Sequence, residues 1–127
     1  MKIHLVDDNP DMLASLKLIL QRRGFQVEVF LHAAACMQAQ TRQPADVLIT
    51  DLFMPDIDGL QVIQEFRARW PQTRIIAISG GGATIGGDYL SVAADIGADL
   101  TLRKPFDPEA LLGALATLAP QSPPASG

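Results

Sequence analysis

Short apolar runs, rich in branched residues, alternate along this chain with longer stretches whose apolar positions recur every three or four residues. The short runs predict strands over residues 3–7, 25–30, 46–51, 74–79 and 99–103. Two of them contain the uninterrupted apolar segments VLIT and IIAIS, as strands covered on both faces of a parallel sheet should. The longer stretches predict helices with recognisable ends. Asn9 caps the first, Pro10 takes its first position, and Met12, Leu13, Leu16, Ile19 and Leu20 form its inward stripe. Gly24 ends it. Residues 33–42 form a short second helix. Asp58 caps the third, with Gln61 three positions on in a variant of the capping box, and Leu60, Ile63 and Phe66 face inward until Pro71 halts the helix. Asp88 caps the fourth, which Gly97 ends, and Asp107 followed by Pro108 opens the fifth.

Five strand–helix alternations imply an α/β fold, a (βα)5 three-layer sandwich with a central parallel five-stranded sheet. A length of 127 residues fits one domain, expected over residues 1–119. The last stretch, PQSPPASG at 120–127, is Pro/Ser-rich and poor in apolar residues, which predicts a disordered tail.

A net charge of −4 argues against a direct nucleic-acid surface or an anionic membrane as partner. No apolar stretch approaches the roughly 18 residues of a membrane span, and Asp7 and Asp8 interrupt the place where a signal peptide would be apolar. The lone Cys36 fits a reducing compartment, so the cytoplasm is the expected location. His4 and His32 lack metal-ligand spacing and are expected to be structural, as is Trp70 at the end of the third helix.

The chemistry concentrates at strand ends. In an open parallel sheet the C-terminal ends of all strands share one edge, where ligands bind at the point of strand-order reversal. The first strand ends in Asp7-Asp8, the third in Asp51, the fourth in Ser79, and the fifth runs into Arg103-Lys104 before Pro105. Three carboxylates, a hydroxyl and an ammonium would converge there. Hard oxygen ligands suit Mg2+, and repulsion between clustered carboxylates is tolerable around a divalent cation. Asp51 is then placed to accept a phosphoryl group as an acyl phosphate, with the cation and Lys104 neutralising charge and Ser79 donating a hydrogen bond.

The stretches LVDDNP, LITDLFMPDIDGL, AISG and LRKPFD, in this order over nearly the whole chain, resemble a response-regulator receiver domain of two-component signalling. The resemblance implies a flavodoxin-like fold with strand order 2-1-3-4-5. It implies Asp51 as phosphoacceptor, and Mg2+ held by Asp8, Asp51 and the Phe53 backbone carbonyl, with Asp7 holding a metal-bound water. Ser79 and Lys104 would contact the phosphoryl group, and Lys104-Pro105 would be a cis peptide. The implied partners are a histidine kinase or histidine phosphotransfer protein upstream and a protein target downstream. If the chain is complete it carries no output domain, and it is expected to be no enzyme beyond its own phosphorylation and dephosphorylation, whose rate Phe53 and Gly81 would influence.

Two positions depart from the family pattern. Thr101 stands where many members carry an aromatic switch residue. The run GGGATIGGD after Ser79 is long and glycine-rich, so it is expected to be mobile, and phosphorylation is expected to order it. The run lacks both nucleotide-loop signatures.

Blander roles compete for each residue. Asp7 and Asp8 could cap a helix, Asp51 and Ser79 could serve turns, and Lys104 could be a solvated charge. Lysine is scarce, with only Lys2, Lys17 and Lys104 beside seven arginines, which favours a specific role for Lys104. Arg103 reads as surface charge, and Asp56 and Asp58 as turn and cap residues. The main alternative function is a phosphorylation-independent receiver-like binding module, which has no use for the carboxylate trio. An aspartyl-phosphate phosphatase would need a second carboxylate where Phe53 stands, and a flavin binder would need a Ser/Thr phosphate loop after the first strand. The fifth helix, 107–119, carries no charge after Glu109 and has leucines for more than one stripe: Leu111, Leu112, Leu115 and Leu118. With Ala110, Ala114 and Ala119 it is expected to offer an apolar face for a partner or a homodimer.

Overall fold

The computed structural model describes residues 1–53, 58–79 and 89–118. Five strands, β1 (Lys2–Val6), β2 (Gln26–Phe30), β3 (Val47–Asp51), β4 (Arg74–Ser79) and β5 (Leu100–Arg103), alternate with five helices. The helices are α1 (Pro10–Arg22), α2 (Ala33–Arg42), α3 (Gly59–Arg69), α4 (Tyr89–Ile96) and α5 (Pro108–Leu118). All neighbouring strands pair in parallel, in the order β2-β1-β3-β4-β5. The chain therefore starts near the centre of the sheet, winds outward one way through β2, and returns past β1 to build the other half. The reversal lies between β1 and β3.

Local chemistry explains the helix ends. The Asn9 side chain accepts hydrogen bonds from the N–H groups of Asp11 and Met12 at 3.0 and 3.2 Å, satisfying donors that the first turn of α1 leaves free. Gly24 takes a φ of +92° just past the helix, a conformation that costs a residue with a Cβ. Asp58 caps α3 through the N–H of Leu60 at 2.9 Å, while Gln61 is exposed. The expected cap Asp88, together with Asp56, Gly81, the glycine run, Ala119 and the 120–127 tail, lies outside the described residues.

Each central strand buries side chains on both faces, which is why VLIT and IIAIS carry no polar alternation. One face collects Val6, Leu48, Ile75 and Ala77 against Cys36 of α2, Val62, Ile63 and Phe66 of α3, and Ala93 of α4. The other collects Ile3, Leu5, Ile49, Ile76 and Ile78 against Leu13, Leu16 and Leu20 of α1 and Leu111, Ala114 and Leu115 of α5. Met12, Ile19 and Leu60, expected inside, are only half-buried, and Val62 takes an inward place instead. Trp70 ends α3 and packs on Phe66 with ring centroids 4.8 Å apart, while the Arg69 guanidinium lies over its ring.

The expected apolar face of α5 needs correction. Ala114 is buried against the sheet, because it lies on the same helix face as Leu111 and Leu115. Leu112 and Leu118 flank that core half-buried, so the exposed strip reduces to Ala110, Gly113, Ala116 and Thr117. Among the described residues, no helix is long and apolar enough to cross a membrane.

One polar clamp was not foreseen. The Arg67 guanidinium donates to the carbonyls of Gly97, Pro71 and Thr73 and to Asp99 Oδ2 at 2.8 Å, and that same carboxylate oxygen accepts the Ile75 N–H. It ties the end of α3 to the entries of β4 and β5.

Candidate functional site: an acidic pocket at the strand ends

The parallel register places the ends of β1, β3, β4 and β5 side by side. Val6 pairs with Thr50, Asp51 with Ile78, and Ser79 with Arg103. The residues that terminate these strands therefore cannot avoid one another. Asp7, Asp8 and Asp51 each direct a carboxylate oxygen to within 4.8 Å of the others. Asp7 and Asp51 are buried, with 2% and 5% of their surface exposed, whereas Asp8 faces solvent.

Lys104 completes the cluster. Its Nζ donates to Asp7 Oδ2 and to Asp51 Oδ2, both at 2.9 Å. The second oxygen of each buried carboxylate is held by a backbone N–H: Asn9 donates to Asp7 Oδ1 at 3.0 Å and Phe53 donates to Asp51 Oδ1 at 2.9 Å. These amide bonds fix the orientation of both carboxylates. The Lys104 N–H in turn donates to the Ser79 carbonyl at 2.9 Å, and the Lys104–Pro105 peptide is cis. Ser79 is buried and its Oγ has no hydrogen-bond partner among the described residues.

Charge in this pocket does not balance. Burial pushes the Asp51 carboxyl above its ordinary value; the Phe53 N–H and Lys104 oppose that rise, and the Asp7 charge adds to it. Burial by itself would lower the Lys104 ammonium, but its bonds to Asp7 and Asp51 outweigh that, and it holds its proton more firmly than free lysine. The two directions agree physically: the Lys104 ammonium is shared between two buried carboxylates, with the Asp8 carboxylate beside them. The residues fit a hard divalent cation, because the clustered donors are all carboxylate oxygens and one of them, on Asp8, opens to water.

The structure thus brings together Asp7, Asp8, Asp51 and Lys104 as the sequence predicts, and sets Ser79 at the end of the adjacent strand. Arg103 is exposed, and Thr101 lies half-buried in β5 opposite Ala77. The orienting N–H groups of Asn9 and Phe53 were missed, since backbone donors leave no signature in side-chain spacing.

Comparison with known proteins gives a consistent answer. Residues 3–116 match the family model described as the response regulator receiver domain. The chain is 34% identical over 111 residues to the transcriptional regulatory protein KdpE of Mycobacterium tuberculosis, a match covering 87% of this chain and 47% of that protein. It spans about half the length of the curated relatives it matches. Among solved structures, it resembles a response regulator receiver domain protein from Clostridium thermocellum, with TM-score 0.84, 27% identity and 92% of each chain covered. It also resembles the BeF3-activated DrrB receiver domain, with TM-score 0.81, 26% identity, and 92% and 95% coverage.

Proposed function

The chain belongs to the response regulator receiver domains, the phosphorylation-dependent modules of two-component signalling, and on that premise we propose that Asp51 is its phosphoacceptor. The observation that carries this reading is the Lys104 ammonium 2.9 Å from both Asp7 and Asp51, two buried carboxylates from separate strands. One Asp51 oxygen attacks phosphorus, the bond from phosphorus to the donor's histidine nitrogen breaks, and the electron pair leaves with that nitrogen. The Phe53 N–H keeps the Asp51 carboxylate aimed, and Lys104 offsets charge that builds on the phosphoryl oxygens. Ser79, whose Oγ has no hydrogen-bond partner among the described residues, contributes that hydroxyl as a further donor to the phosphoryl group.

Asp8 and Asp51, with the Phe53 carbonyl, would hold Mg2+, and Asp7 would hold a water bound to it. The ion supplies positive charge to an acidic site that Lys104 alone leaves short. The phosphoryl source is a histidine kinase or histidine phosphotransfer protein, and the chain performs no chemistry beyond its own phosphorylation and dephosphorylation. Output passes to a downstream protein. A homodimer through α5 would use what that helix leaves exposed, chiefly Ala110, Ala116 and part of Leu112. A binding module that never takes phosphate is disfavoured, because burying Asp7 and Asp51 together is costly without a role for them.

The test is incubation with a small acyl phosphate and Mg2+, read by intact mass. One added phosphoryl group is expected, absent in Asp51→Asn and absent after chelation. No mass gain in the wild-type chain, or an equal gain in Asp51→Asn, overturns the assignment.

A further inference from the structure

Away from the acidic pocket, a row of buried polar groups links β1 to the start of β4. His4 is fully buried, and its Nδ1 lies 2.8 Å from Gln40 Oε1 on α2. The same oxygen accepts the Ala45 N–H at 3.1 Å. Gln40 Nε2 donates to Thr73 Oγ1 at 3.0 Å, and the Thr73 hydroxyl donates to the Ala45 carbonyl at 3.0 Å.

Two backbone groups of one residue set the polarity of this row. The Ala45 N–H can only donate, so the Gln40 atom that meets it must be the oxygen. The Ala45 carbonyl can only accept, so it takes the Thr73 hydroxyl proton and leaves Thr73 Oγ1 to accept from the Gln40 amide. His4 Nδ1 thus faces an atom that only accepts, and it must carry a hydrogen. In a neutral ring Nε2 is then a bare acceptor. That Nε2 is buried without a hydrogen-bond partner among the described residues, and it lies 3.5 Å from Oε1 of Glu28, its neighbour across the β1–β2 pair. Two acceptors face each other across a gap that one proton fills.

We propose that His4 and Glu28 form a binding site for a single proton shared between β1 and β2. Uptake places hydrogen on Nε2, turns the ring into imidazolium and gives Glu28 a charge-assisted donor. The other charge near the ring is Lys2 of β1, whose Nζ lies 3.7 Å from the same Glu28 oxygen and opposes filling. Among the described residues the ring's other neighbours include the uncharged Gln40 of α2, Leu48 paired from β3, and Phe30 of β2, whose ring makes a T-shaped contact at 5.3 Å. Cys36 of α2, kept as a thiol by burial, feels the same Glu28 carboxylate. Burial resists the charged ring and pulls His4 below the usual histidine range, while the Gln40 and Glu28 contacts limit that fall.

The test is imidazole nitrogen NMR of the whole chain across mildly acidic to alkaline pH, for wild type and Glu28→Gln. The side chain of Glu28 is half-exposed, so the substitution leaves the fold intact. The expected result is an Nδ1–H tautomer at alkaline pH and a His4 midpoint that drops further in Glu28→Gln. An Nε2–H tautomer, a His4 signal that never titrates while the chain stays folded, or a midpoint unmoved by Glu28→Gln overturns the proposal.

Discussion

The Lys104 ammonium and the Asp51 carboxylate, separated by 53 positions in sequence, meet at 2.9 Å. The same ammonium reaches Asp7, separated by 97 positions, at an equal distance. One side chain thus gathers the ends of β1, β3 and β5 into a single electrostatic unit.

Lys104→Met keeps much of the stem and removes the charge. Phosphorylation of Asp51 by a small acyl phosphate is expected to slow by about 10²–10³-fold, the usual cost of losing one charge-stabilising donor. Rate against donor concentration, followed by intact mass, checks this. An unchanged rate would show that the lysine serves only to neutralise the resting pocket.

Asp51 makes stability depend on pH in a defined direction. Its folded-state pKa lies above that of the unfolded chain. Below the unfolded value both states are protonated and the group is neutral in effect. As pH rises through the folded value, the fold must release a proton that it binds more tightly than the unfolded chain does, and stability falls. Asp51→Asn is therefore expected to be more stable than wild type at neutral pH without divalent cation. The difference should fade as pH drops into the ordinary carboxyl range. Urea unfolding at several pH values measures it.

Asp8 is the exposed member of the acidic trio, so its loss should leave the fold nearly untouched. Asp8→Ala is expected to unfold within about 0.5 kcal/mol of wild type in chelator. With Mg2+ at a hundredfold excess over its dissociation constant, wild type should gain about 2.7 kcal/mol and the variant much less. Thermal melts with and without the ion separate the two contributions.

Gly59 sits where a Cβ would overlap the Leu52 backbone, one residue beyond Asp51. Its N–H also donates to the Leu52 carbonyl at 3.1 Å. Gly59→Ala is expected to cost about 1–3 kcal/mol, because backbone rather than a pliable side chain must give way. Gly113→Ala, with open space around the new Cβ on α5, is expected to be neutral or stabilising by about 0.5–1 kcal/mol. Chemical denaturation of the pair checks both signs.

Features governed by near neighbours were legible in the chain. Asn9-Pro10, Gly24 and Asp107-Pro108 mark helix ends because capping is a local hydrogen-bonding problem, and the structure puts those ends within a residue or two of their expected places. VLIT and IIAIS announce buried parallel strands because both faces need apolar cover. The acidic strand ends were legible as well, since a parallel sheet sends every C-terminal end to one edge.

What the chain by itself determined, then, is the alternation of strands and helices, where the helices start and stop, and which charged residues share an edge. Tertiary structure alone decided that Lys104 bridges Asp7 and Asp51, that backbone N–H groups orient those carboxylates, and that Ala114 lies in the core. It also decided that Arg67 clamps Asp99 and that His4 faces Glu28 across β1 and β2. The physical reason is range: propensity and capping act over a few residues, whereas these contacts depend on strand register and helix rotation, which exist only once the whole sheet has closed.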